Sequence, residues 1–271
     1  ANVDILNGAS LTHRFTGTAD VFSLTLTVTG TLAVDATSAI DVSGRGYIDR
    51  YTTGNTSSGG ASGYSGGTYG GYGFEADGST NATYGDYRNP LEPGAGGAGG
   101  GAFPGSGGGL VRISAGTLAL DGVIRANGEA GTARDWNSSG GGGAGGGTRL
   151  DVGTLTGTGW ITADGGAGGP AAAGVPSAGS GGGGRIAVYY AEMGGFAVGN
   201  ITAHGGNGGR GVGGVGTVYL KAATGEGVLR IDSHGAAVGM WTPLGLPAES
   251  SFTVDRLVLA GAGVLFAGRQ G

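Results

Sequence analysis

The sequence predicts an all-β protein, a parallel β-helix (β-solenoid) with its glycine-rich inserts on one side, and three observations carry that expectation. Apolar residues alternate with Thr and other polar residues at period two, as in a strand with one buried face. A closing signature Ile-x-x-x-Gly recurs five times, at Ile40 to Gly44, Ile124 to Gly128, Ile161 to Gly165, Ile201 to Gly205 and Ile231 to Gly235. Self-similarity of this kind marks an array of stacked units. The 70 glycines lie largely between those units, and with only 7 Pro there is no collagen-like period. No segment sustains a 3.6-residue period, so almost no helix is expected.

Taken in order, residues 1–48 read as strands, with Leu24, Leu26 and Val28 separated by Thr25 and Thr27, then Leu32 and Val34, then Ile40 and Val42. Residues 49–109 form an insertion rich in Gly, Ser and Tyr. Two arrangements are open for it: a flexible loop, or extended threefold strands packed side by side through backbone hydrogen bonds, as in polyglycine II. From Leu110 the repeats become dense. LVRISAGTLALDGVIRANG and TRLDVGTLTGTGWITADGG align without a gap, and two looser copies run from Ile186 to Ile201 and from Val218 to Ile231. Residues 1–235 are therefore read as the solenoid with its insertion, and 236–271 as a connecting loop and terminal strands that begin a further repeat.

Stacked coils place like positions about 4.8 Å apart. The five isoleucines then form one inward stack, and Val42, Ala126, Ala163, Ala203 and Ser233 a second, smaller one. Outward positions give two polar ladders: Asp41, Arg125, Thr162, Thr202 and Asp232, and at the corner Ser43, Asn127, Asp164, His204 and His234.

Composition bounds the function. Lys221 is the one lysine, and a formal net charge of -5 without a basic stripe argues against nucleic acid as a partner. The absence of Cys excludes disulfides and thiolate metal sites. No apolar run approaches the roughly 20 residues of a membrane helix, and no signal peptide precedes Ala1, so a mature or excised segment is expected.

The phrases GGGGRIAVYY at 181–190, GTVYLKA at 216–222 and YGDYRNP at 84–90 resemble a glycine-rich repeat module of very large secreted or surface proteins of bacteria. The resemblance implies an extracellular β-helical building block and brings no catalytic residue with it.

Three groups of side chains are candidates for chemistry. Asp164, His204 and His234 become neighbours in the corner ladder, and two imidazoles with a carboxylate could bind a divalent metal or form an acid/base pair; a solvated row of polar residues is the alternative. Tyr64, Tyr69, Tyr72, Phe74, Tyr84 and Tyr87 could stack on sugars or other surfaces, or equally roof the strands. Carboxylates and Arg125 on the outer ladder suit a polysaccharide-active β-helix enzyme, a lyase or glycoside hydrolase, although the acidic residues are scattered. Gly63-Tyr64-Ser65-Gly66-Gly67 has the spacing of a nucleophile elbow without its strand-to-helix context. The expected function is accordingly a non-enzymatic extracellular structural or adhesive module. Its expected partners are further copies or neighbouring repeats joined head to tail, with carbohydrate or a cell surface as a further partner. The likeness of residues 5–11 (ILNGASL) to 258–264 (VLAGAGV) supports the head-to-tail expectation.

Overall fold

The computed structural model describes residues 1–100, 103–134, 138–171, 177–245, 251–261 and 266–267. An eight-stranded sheet runs in the order β1 (Val3–Ile5), β3 (Leu24–Val34), β5 (Leu110–Leu120), β9 (Gly147–Thr156), β11 (Arg185–Gly194), β13 (Thr217–Ala222), β14 (Gly227–Asp232) and β16 (Arg256–Ala260). A five-stranded parallel sheet of short strands comprises β12 (Ile201–Thr202), β10 (Trp160–Thr162), β6 (Val123–Arg125), β4 (Ala39–Asp41) and β2 (Ser10–Leu11). Two further pairs, β7 (Ala133–Arg134) with β8 (Ser138–Ser139) and β15 (Thr242–Pro243) with β17 (Phe266–Ala267), complete the strands. Helix is limited to a 3₁₀ turn at Val198–Asn200 among the described residues.

The expected parallel β-helix is corrected by this topology: the two sheets do not close into a solenoid. β13 and β14 pair antiparallel, so β14 and β16 run against the other six strands of their sheet. The cause is local. Only residues 223–226 separate the two strands, and Gly225 takes φ 103°, a left-handed value that glycine adopts without a Cβ penalty. The chain therefore folds straight back as a hairpin instead of crossing to the five-stranded sheet. Ile231 is consequently paired with Leu259, outside the expected stack, while Ile40, Ile124, Ile161 and Ile201 are in register with one another.

Those four isoleucines face the inner side of the eight-stranded sheet, where Leu26, Ile113, Leu150, Val188 and Leu220 form a matching row. Together with Leu32, Leu118 and Leu155 they make one apolar core, and Val42, Ala126, Ala163 and Ala203 line its narrow end. Burial of each large aliphatic side chain contributes roughly 1.5–3 kcal/mol.

Beyond that narrow end the glycine tracts are ordered, and within the insertion at 49–109 the run 95–98 is of the packed, backbone-bonded kind. Within residues 141–146, the amides of Gly141 and Ala144 donate to Ala98 and Ala95, those of Gly142 and Gly145 to Gly179 and Gly182, and those of Gly143 and Gly146 to Glu129 and Ala126. Every third amide thus meets the same neighbour, as a helix of three residues per turn requires. The numbering also gives direction: the tract at 179–182 runs parallel, and those at 126–129 and 95–98 antiparallel. Side chains would prevent this packing, because a Cβ on Gly142 would overlap the carbonyl oxygen of Gly166, and one on Gly143 that of Ser106.

Two substitutions test these two layers. Replacing Gly141, Gly142 and Gly143 by Ala should destabilise the protein by about 1–3 kcal/mol per site, whereas Gly199→Ala, which meets nothing within 4 Å, should leave the thermal melt unchanged. Ile161→Asp should abolish the cooperative melt, since Ile161 is fully buried and the charge would have no partner.

Candidate functional site

The corner ladder forms as a chain of acceptors. Short strands of the five-stranded sheet end in an amide that needs a partner, and the polar side chain of the preceding rung supplies it. Ser43 Oγ accepts the amide of Asn127 at 3.3 Å, Asn127 Oδ1 accepts that of Asp164 at 2.9 Å, and Asp164 Oδ1 accepts that of His204 at 2.6 Å. The threonines of β10 and β12 bond the same side chains: Thr162 Oγ1 donates to Asn127 Oδ1 at 2.8 Å and Thr202 Oγ1 to Asp164 Oδ2 at 3.2 Å. Asp41, at the start of the outer ladder, pairs with Arg125 at 3.4 Å and accepts the amide of Ser43. Asp232, expected on that same ladder, lies instead on β14 in the other sheet.

At the last rung the pattern changes. His204 Nε2 and His234 Nδ1 are 3.2 Å apart, with ring planes crossing at 70°. Asp164 Oδ1 lies 3.8 Å from the other nitrogen of His204, and Asp232 Oδ2 lies 3.4 Å from the other nitrogen of His234. Asp232 also accepts from Arg230 at 2.7 Å and from the His234 amide at 2.8 Å. Burial alone would raise the Asp232 carboxyl, but the His234 amide, the Arg230 guanidinium and the adjacent positive charges outweigh it and hold the group below the usual carboxylate range. His234 itself sits at φ 46°, in the left-handed region. The structure therefore brings Asp164, His204 and His234 together, but the carboxylate faces the far side of the imidazole pair. No group of three or more His, Asp or Glu among the described residues is arranged around a common point that could hold a metal ion.

The aromatic candidates divide. Tyr69 and Tyr84 are buried with Tyr47 against Ala95 and Ala144, their ring centroids 4.7 Å apart, and burial pushes both hydroxyls up. Tyr87 is buried on the outer face of the eight-stranded sheet, packed with Ala187, Tyr219 and Leu229. These three side chains are buried and roof the structure. Tyr64, Tyr72 and Phe74 are half-buried, and Phe74 covers Gly211.

The outer face carries a cluster that sequence reasoning missed. Residues 84–93 cross it as a strap: Arg149 bonds Asn89 and Asp151, Tyr189 donates to the carbonyl of Arg88, and Arg88 reaches the carbonyl of Thr253 at 2.6 Å. A cavity of about 180 Å³ opens beside it, lined by Asp86, Tyr87, Arg88, Thr217, Leu244 and Phe252 among others. Burial drives the Tyr87 hydroxyl up to about 12 against the opposing charge of Arg88. The phrase YGDYRNP was the available signal, since two aromatics and an arginine in one loop suit a cover over a half-buried sheet.

Comparison of the chain with protein-family models, with curated proteins and with solved structures finds no match.

The ladder geometry makes a discriminating prediction. Asp164→Ala removes the acceptor for the His204 amide and should cost about 1–3 kcal/mol, while Asp164→Asn should be nearly neutral, because Asn127 fills the same role one rung earlier. Chemical denaturation of the two variants measures the difference. The depressed Asp232 carboxyl gives a second expectation. Its contribution to stability is fully present above the unfolded value near 3.9 and is lost as the pH falls through its lower folded value. Comparing wild type with Asp232→Asn, the difference in stability should be constant above about pH 5 and shrink below about pH 4.

Proposed function

We propose that this chain is a non-enzymatic extracellular structural module with adhesive surfaces, a link in a long bacterial cell-surface protein or in a head-to-tail fibre. The observation that carries the reading is the use to which the polar ladder is put: Ser43, Asn127 and Asp164, the rungs that could have faced a cleft, each hold the backbone of the next rung. A frame of sheets and backbone-bonded glycine tracts suits a rigid spacer. Exposed Trp160 and Trp241 offer apolar faces with a polar edge, the chemistry that stacks on carbohydrate.

Head-to-tail contact is supported by the edges of the eight-stranded sheet. β1 and β16 are its end strands among the described residues, and Leu259 on β16 is 38% exposed. Edge strands recruit further strands, and a contact between unlike edges does not close on itself and so propagates. Because β16 runs against β1, the junction would pair antiparallel. In the stretch that resembles residues 5–11, residues 262–264 lie outside the described residues. The test is light scattering of the purified chain at rising concentration: average mass should increase, and Leu259→Lys should suppress the increase without lowering the melting temperature. A wild-type chain that stays monomeric throughout would overturn the proposal. No helix among the described residues is long and apolar enough to cross a membrane.

A further inference from the structure

The imidazole pair poses a problem of proton placement. Each ring has one nitrogen toward the other ring and one toward a carboxylate, Asp164 for His204 and Asp232 for His234. The two near nitrogens make an N–H···N hydrogen bond at 3.2 Å, in which one ring donates and the other accepts according to tautomer. The carboxylates lie behind the rings, 3.8 Å from His204 and 3.4 Å from His234. A metal ion that took the place of the one proton between the rings would keep both near nitrogens engaged.

We infer that His204 Nε2 and His234 Nδ1 form a two-histidine site for a late first-row divalent metal such as Cu²⁺, Zn²⁺ or Ni²⁺. Three features fit. Two nitrogens on one tetrahedral metal at about 2.0–2.1 Å would be about 3.3–3.4 Å apart, close to the 3.2 Å observed. Metal-bound imidazoles characteristically direct the remaining N–H at a carboxylate, which fixes the tautomer and raises ligand basicity, and each ring here has a carboxylate behind it within 3.8 Å. Both side chains are also 26% exposed, so water can complete the coordination shell. Asp164 therefore serves behind His204 and not as a ligand. Arg230, bonded to Asp232, is the nearby positive group and lies on the far side of that carboxylate from the pair.

Position gives the site a consequence. β12 ends the five-stranded sheet, and among the described residues no hydrogen bond except the imidazole contact joins residues 201–204 to 231–235. A metal at the pair would pin the reversed arm to the sheet it failed to join.

The experiment titrates the whole chain with Cu²⁺ at pH 7.5 and follows electron paramagnetic resonance and thermal melting. The expected result is one equivalent bound with two-nitrogen hyperfine structure and a melting temperature raised by at least about 2–4 °C. His204→Gln and His234→Gln, each checked for a wild-type melt without metal, should each weaken binding about tenfold or more. His13→Gln should leave it unchanged. Absence of binding, a one-nitrogen spectrum, or binding that survives both His204→Gln and His234→Gln would overturn the assignment.

Discussion

Carbonyl oxygens in this protein approach Cα atoms so closely that a single methyl group would collide with them, and the rest of the structure depends on that approach. At Gly142, Gly143, Gly145 and Gly181 the blocking atom is in every case a backbone oxygen, which no rotamer change can move aside. The packing offsets the conformational entropy of glycine, about 0.5–1 kcal/mol per residue relative to Ala, with hydrogen bonds worth about 0.5–1.5 kcal/mol each. Ala95 and Ala144 bond to each other through the backbone and meet the Tyr47, Tyr69 and Tyr84 rings.

The glycine layer also determines what the two sheets can do. It adjoins the narrow end of the aliphatic core, where Val42, Ala126, Ala163 and Ala203 are small enough for the tracts to approach. Because Ala126, Ala163 and Ala203 accept amides from Gly146, Gly184 and Gly216, the rungs of the polar ladder immediately after them are held at fixed spacing. Side-chain capping of each rung by the one before follows from that spacing. The ladder ends where the hairpin reverses the sheet, and His234 reaches His204 from a strand of the opposite direction.

The strands and the alignment of four isoleucines were legible in the sequence because period two and a shared closing signature fix register whatever the overall closure. Solenoid closure was misread because ATGE at 223–226 looks like any other glycine-containing insert, while Gly225 at positive φ makes it a hairpin turn. The corner ladder was legible as a row of neighbours. Its chemistry was not, since whether Asp164 turns toward an amide or toward a metal depends on the offset between rungs, which composition does not encode. The sequence left open whether Tyr69, Tyr84 and Tyr87 roof the strands or face a ligand, because the contacts that decide it come from residues up to 166 positions away.

Amide hydrogen exchange across residues 140–147, 163–168 and 178–184 tests the central claim most directly. If the glycine tracts are bonded to one another as described, the amides of Gly142, Gly143, Gly145 and Gly181 should exchange as slowly as those of the buried strands β5 and β9, through global unfolding alone. Exchange of these amides at the rate of an unstructured glycine-rich chain, with the strands still protected, would contradict it.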